Sequence, residues 1–351
     1  MNHKDEGELS SSFFLWWYAK LFPFYSFVQF LNNGLFGRDE IKMRTNVKAI
    51  VEGALMAALF LLLLFLVLYT PLGTIGFIVL PLPFVLYTAR NKVKNSLLLG
   101  FVAILLMIPF GLIALFPLTL YSWWIGLVLG WSFFKKNHPL LTLTYTFLAT
   151  LLYLLLALLF ASLLFKIDLV GELITLLKET MKETSVLMGD ALQNQLPSGF
   201  METFLQEFRL RFPALLILYS FFSAFIIQYI SGKLFRRLGG ETAPFPPFSE
   251  LRFPRSILYY FLASLLLLLI PNLQEMGWLH LATVNIFTVL YLLITLEGLF
   301  FLFYYAKEKK LGRWLPVAGF VMLFLPPLDT ILRVIGILDL GFPLRNKKGQ
   351  G

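Results

Sequence analysis

The sequence predicts an all-α fold: a polytopic membrane helix bundle of about eight or nine spans. Three observations predict it. Only 14% of the residues are charged, against 58% hydrophobic, whereas a soluble domain carries roughly 25% charged residues to keep its surface wet. Apolar runs recur at close to the roughly 20 residues a helix needs to cross hydrocarbon. Lys and Arg fall in short clusters between those runs, as they do in membrane loops. Mean hydropathy is +0.79.

The candidate spans lie near 47–70, 74–89, 94–113, 117–134, 140–165, 212–232, 256–272, 279–305 and 314–337. The second is short and carries Pro81 and Pro83, so it is expected to be tilted, broken or re-entrant. The last contains Pro326-Pro327, Asp329 and Arg333. It either crosses fully or turns back at the prolines. Ahead of the first span, residues 1–42 form an extension whose 13–37 stretch is aromatic but broken by Lys20, Pro23 and Asn32-Asn33. Two readings stand: an interfacial aromatic helix, or translation beginning at Met43. Acidic residues in the leading MNHKDEGE argue against a signal peptide.

Orientation follows the basic clusters. Arg38, Lys42, Arg44 and Lys48; Arg90, Lys92 and Lys94; Lys135 and Lys136; Lys233, Arg236, Arg237, Arg252 and Arg255; and Lys307, Lys309, Lys310 and Arg313 alternate with nearly uncharged turns at 71–73, 114–117 and 273–278. The clusters are expected on the cytoplasmic side of a bacterial cell membrane, with the start of the first span cytoplasmic. The tail residues Arg345, Lys347 and Lys348 agree with this only if the last segment turns back.

The segment 166–211 has five basic and seven acidic residues and falls outside by the same count. Val170, Leu173, Ile174, Leu177, Met181 and Met188 make a helical stripe; Phe200, Met201, Phe204, Leu205 and Phe208 make another after Pro197-Ser198-Gly199. These helices either lie in the membrane interface as a cap or form a lid. The Pro- and Gly-rich stretch 236–255 is expected to link a first membrane half, 43–235, to a second, 256–351, with its basic tail. No internal repeat is evident.

Charged residues inside spans are costly and suggest function. Glu52 and Glu297 are the intramembrane carboxylates, and Arg90 is a plausible partner for Glu52. With Gln228 and Asn285, which can hydrogen-bond across helices, they form the candidate ligand-binding set. Asp329 and Arg333, four apart, are expected to pair with each other. Tyr121, Trp123 and Trp124 are expected in an aromatic belt. Gly53, Ala54, Ala57 and Ala58 give two small-residue strips on the first span, and Gly126 and Gly130 give another on the fourth; such strips let helix backbones approach closely.

No metalloprotease HExxH, GxSxG elbow or P-loop occurs, and the three histidines (His3, His138, His280) are scattered. The expectation is therefore no catalytic residues, no metal and no cofactor. Cysteine is absent, which removes disulfides and thiolate sites. Nucleic acid is not an expected partner despite the net charge of +9, because the basic residues are not massed on one face. The expected partners are the lipid bilayer, a membrane protein and an unidentified small solute. Without ligand-specific motifs, a scaffold or regulator of envelope or sporulation processes is the alternative.

Several of these residues occur in a familiar order. The run Glu52-Gly53-Ala54-Leu55-Met56-Ala57-Ala58, then Leu80-Pro81-Leu82-Pro83 with Arg90, then Pro247-Phe248 and Arg252-Phe253-Pro254, then Gly336-Ile337-Leu338-Asp339 and Arg345 together resemble the YybS-like family of bacterial multi-pass membrane proteins. The resemblance covers about residues 43 to 345 and implies a start at Met43. That family is similar, in its first half, to the substrate-binding S components of energy-coupling-factor vitamin transporters. Those proteins dock a membrane coupling subunit through an AxxxA strip on their first helix, which Ala54 and Ala58 match. The resemblance thus implies an S-component-like first half and a coupling subunit as partner. The extra spans and the 166–211 segment depart from that pattern, and no vitamin-binding motif is present.

Overall fold

The computed structural model describes residues 45–70, 73–91, 93–188, 199–312, 314–342 and 344–345. The 1–42 extension, Pro197-Ser198 and the tail residues Lys347 and Lys348 lie outside the described residues. Those described are helical or irregular, with no strand. The helices are α1 (Thr45–Tyr69), α2 (Gly73–Val79), α3 (Leu82–Arg90), α4 (Val93–Met107), α5 (Phe116–Phe134), α6 (Pro139–Phe165), α7 (Leu169–Met188), α8 (Phe200–Arg237), α9 (Ser256–Leu268), α10 (Trp278–Glu308), α11 (Trp314–Met322) and α12 (Leu328–Gly341).

Among the described residues five helical segments are long and apolar enough to cross a membrane: Val47–Tyr69, Ile113–Phe134, Pro139–Phe165, Phe200–Arg237 and Trp278–Glu308. The other expected spans are shorter. At 15 and 13 residues, α4 and α9 reach only ~20–22 Å of a hydrocarbon layer about 30 Å thick. The second segment breaks as expected, where Pro81 separates α2 from α3.

The chain forms two compact units, one from residues up to Lys136 with Ile230–Thr242, the other from Asn137–Tyr229 with Ala243–Gly351. The stretch 236–255, expected to divide the chain into halves, is itself split. Its first residues pack with the first unit and the rest with the second. The physical reason is that α6 and most of α8 find their partners in the second unit. Gln228 bonds to Pro139, and Phe147 meets Phe221 edge-on.

In the first unit, Ala57, Phe60 and Leu64 of α1 meet Phe84 and Tyr87 of α3 and Leu99, Ala103 and Met107 of α4. Glycines set the spacing. A Cβ on Gly126 would lie 2.2 Å from the Phe84 Cβ, and one on Gly130 2.5 Å from the Thr88 Cβ, so α3 rests directly on the backbone of α5. Trp123, expected in an aromatic belt, packs partly buried against the core of the unit. Its indole covers Gly100 and donates to the Ser96 carbonyl at 3.0 Å. The absence of a side chain at Gly100 makes that seat.

In the second unit α10 is the axis. Leu258 and Phe261 of α9 pack on Leu290 and Ile294, with Leu340 of α12 beside them. At the crossing of α10 and α12 a Cβ on Gly298 would fall 1.8 Å from the Leu332 carbonyl oxygen, and one on Gly336 2.1 Å from that of Ile294. The stripe seen on 170–188 is helix α7, but 200–211 is not a separate helix. It runs on through Pro213 into the sixth span as the 38-residue α8.

The last segment turns back on itself. Helix α11 returns along α10, with Gly319 against Leu299 and Leu302. The chain turns at Pro326-Pro327, whose peptide bond is cis, and α12 runs back from Tyr291, which Asp329 meets, to Glu297, which Arg345 meets. Arg345 therefore lies beside the same end of α10 that the chain left at Glu308. Of the two forms expected for this segment, the geometry has the one that turns back at the prolines, with α11 only ~14 Å long.

Gly336→Leu is expected to pry α12 from α10, a loss of at least about 1–3 kcal/mol by overpacking. Thermal unfolding of the detergent-solubilised protein measures it. An unchanged melting curve would mean that the crossing is looser than the backbone spacing requires.

Candidate functional site

The candidate site residues divide between the units. In the first, Glu52 is buried on α1, and its Oε2 accepts from Asn91 Nδ2 at 3.0 Å. Asn91 caps α3 through a backbone bond to the Tyr87 carbonyl. The Tyr87 hydroxyl in turn donates to the Ala49 carbonyl at 2.9 Å, and its ring fills the gap over Gly53. Arg90 is within electrostatic reach of Glu52, but its Nη2 donates to the Leu238 carbonyl at 2.8 Å. Asn91, next to Arg90, thus adds a hydrogen bond to Glu52 beside the electrostatic partner that was expected.

The small-residue strips on α1 also separate. Gly53 and Ala57 are buried inside the unit, whereas Ala54 and Ala58 are exposed, in line with Val47, Val51 and Leu62. Gly126 and Gly130 are both consumed in seating α3.

In the second unit Asn285 mends a break. Pro213 has no N–H, and its ring crowds the preceding turn of α8. Asn285 inserts there, its Oδ1 accepting from Ala214 N at 2.8 Å and its Nδ2 donating to the Leu210 carbonyl at 2.9 Å. The two backbone groups that an unbroken helix would join are joined through a side chain instead. Gln228 donates to the Pro139 carbonyl at 2.8 Å, and its Oε1 is buried without a hydrogen-bond partner. Asp329 and Arg333 pair as expected at 2.9 Å, and Tyr291 donates to Asp329 at 2.6 Å with the guanidinium over its ring.

Glu297 is the centre of a larger assembly. Both it and Asp339 are fully buried. Glu297 Oε2 accepts from the Phe253 backbone N–H at 2.9 Å, and its Oε1 from Arg345 Nη2, also at 2.9 Å. The same Nη2 lies 2.7 Å from Asp339 Oδ2, and Arg345 Nη1 donates to the Leu251 carbonyl at 2.6 Å. Arg252 donates to the Asp339 backbone carbonyl at 2.5 Å. Two carboxylates therefore face two guanidiniums, which fasten α10, α12, the Leu251–Phe253 strand of chain and the tail together. Within the second unit the aromatic side chains of the Pro-rich stretch anchor it further, Phe248 stacking on Phe300 at 5.8 Å and Phe245 meeting Phe225 edge-on at 5.1 Å.

Sequence reasoning named Glu297 but not its partner Arg345, nor Asp339 and Arg252 beside that pair. The signal was present: a carboxylate deep in an apolar helix needs a cation, and these three residues belong to the motifs that carry the family resemblance. Among the described residues no group of three metal-ligating side chains gathers.

Above the ionic assembly is an open polar cavity of about 410 Å³, walled by Arg252, Lys307, Arg345, Glu250 and Glu308. Lys307 and Glu250 pair across it at 3.0 Å, both more than half exposed. Beside it runs an apolar groove of about 760 Å³, lined by Phe225, Phe245, Phe248, Phe303 and Phe320 among others.

Long apolar helices with charges neutralised in their interior define a multi-pass all-α membrane protein. The chain belongs to the DUF2232 family, described as "Predicted membrane protein", whose family model matches residues 55–340. It is 28% identical over 305 residues to the "Uncharacterized protein YybS" of Bacillus subtilis (strain 168), covering 86% of this chain and 98% of that one. No solved structure matches.

Arg345→Gln, which leaves Glu297 and Asp339 buried without their cation, is expected to cost about 3–5 kcal/mol. Lys307→Gln, breaking an exposed pair, should cost about 0–1 kcal/mol. Asn285→Leu should cost about 1–3 kcal/mol through the two orphaned α8 backbone groups. Denaturant or thermal unfolding in one detergent ranks the three, and a Lys307→Gln loss equal to that of Arg345→Gln would contradict the burial argument.

Proposed function

We propose that this membrane protein binds a small solute and works with a membrane partner, without chemistry of its own. The observation that carries the reading is the charged cavity on the second unit. Its volume of about 410 Å³ falls within the range of about 300–1,000 Å³ that suits a small molecule. Arg252 and Lys307 stand in its wall, and the buried assembly beneath holds the wall in place. Support for the partner comes from α1. With Gly53 and Ala57 turned inward, Ala54 and Ala58 leave a small-residue strip on an outward apolar face. That geometry lets a second transmembrane helix approach closely, as the resemblance to S components would require. A bacterial cytoplasmic membrane, with the start of α1 on the cytoplasmic side, fits the distribution of Lys and Arg.

Mass spectrometry of small molecules released from the full-length protein, purified in mild detergent, tests the solute. A compound enriched over an unrelated membrane protein purified alongside is the expected result. Ala54→Leu with Ala58→Leu should leave that compound and the melting temperature unchanged while abolishing a cross-linked complex in host membranes. An empty extract with the same loss of complex would replace this reading by a scaffold acting through protein contacts alone. An empty extract with no complex to lose would end both.

A further inference from the structure

We infer that the cavity and the aromatic groove of the second unit are one site, which takes a glycerophospholipid: a single phosphodiester head with apolar chains. This rests on the solute-binding reading above and names the class of solute.

Ser249 and Lys307 line both the polar cavity and the apolar groove. A free inorganic ion would leave the groove unused, and a hydrocarbon would leave the charged wall unused. An amphiphile uses both.

Arg345 is committed below, its two terminal nitrogens going to Leu251, Glu297 and Asp339, so it braces the wall. Arg252 donates Nη2 to the Asp339 carbonyl and keeps its side chain 30% exposed. Its planar fork suits two phosphate oxygens. Among the described residues Lys307 is held only by the exposed pair with Glu250. Such pairs contribute about 0–1 kcal/mol, so exchanging Glu250 for a phosphate oxygen costs little. Glu250 and Glu308 in the same wall repel any further negative charge. The site therefore accepts a monoanionic phosphodiester and disfavours a multiply charged head.

Val317 and Phe320 line the groove and are themselves more than half exposed, so the groove opens sideways where acyl chains of the surrounding bilayer lie. The source of the ligand is the membrane itself.

Native mass spectrometry of the full-length protein in a neutral detergent tests the site, with phosphatidylglycerol, diacylglycerol of the same chains, and inorganic phosphate as probes. Phosphatidylglycerol is expected to bind at least about tenfold more tightly than diacylglycerol, the worth of one charge-assisted hydrogen bond or more. Inorganic phosphate should bind far more weakly than either. Arg252→Gln with Lys307→Gln should remove that preference. Lys307→Gln alone should weaken it several-fold at an unchanged melting temperature, which keeps the test decisive should the double variant unfold. Val317→Trp, filling the groove from an exposed position, should block both lipids.

Equal binding of the two lipids, or indifference to Lys307→Gln, would overturn the head-group assignment. Phosphate alone binding as tightly as the phospholipid would overturn the role of the groove. A co-purified solute that survives both Lys307→Gln and Val317→Trp would remove the site from this place while leaving the solute reading intact. No bound molecule of any kind would end both.

Discussion

The fold of the second unit depends on keeping one guanidinium, that of Arg345, between two carboxylates that water does not reach. Uncompensated, either Glu297 or Asp339 would be prohibitive in an apolar interior. Compensated, they fix the distance between α10 and α12 and hold the chain at Leu251–Phe253 against both. An ion pair of this kind adds little net stability over a well-packed apolar core. What it supplies is a demand for one arrangement, because any slip of α12 along α10 strands a charge.

The same economy governs the backbone. Between helices in lipid, close approach and internal hydrogen bonding replace the hydrophobic drive. Gly298 and Gly336 in one unit, and Gly126 and Gly130 in the other, bring helices to near backbone contact. At Pro213, where α8 cannot complete its own hydrogen bonds, a side-chain amide from α10 completes them. On α6, Thr146 and Thr150 hide their hydroxyls by bonding back one turn along their own helix. Each device answers the absence of water in the surroundings.

The membrane class was legible because it rests on composition and run length, which no tertiary detail alters. The break at Pro81 and the Asp329–Arg333 pair were legible because they are local. Other features depend on which faces meet, and periodicity does not reveal that. The four small residues of α1 look equivalent in sequence, yet two are buried and two are outward. Trp123 reads as an interfacial ring until Gly100 is seen to make room for it. Arg90 lies beside Asn91, and the choice of Asn91 as hydrogen-bond partner of Glu52 follows from how α3 ends. The partners of Glu297 lie 44 to 48 residues away, a separation at which one sequence offers motif order but no distance.

The turn at Pro326-Pro327 has a topological consequence. Because α11 runs back along α10 and α12 reverses again, the pair forms a hairpin that opens and closes at one end of α10. Arg345, just beyond α12, bonds to the Leu251 carbonyl ahead of α9, so these two points of the chain lie together. Two stretches of chain separated by α9 to α12 are thereby clasped together, like the two ends of a buckle.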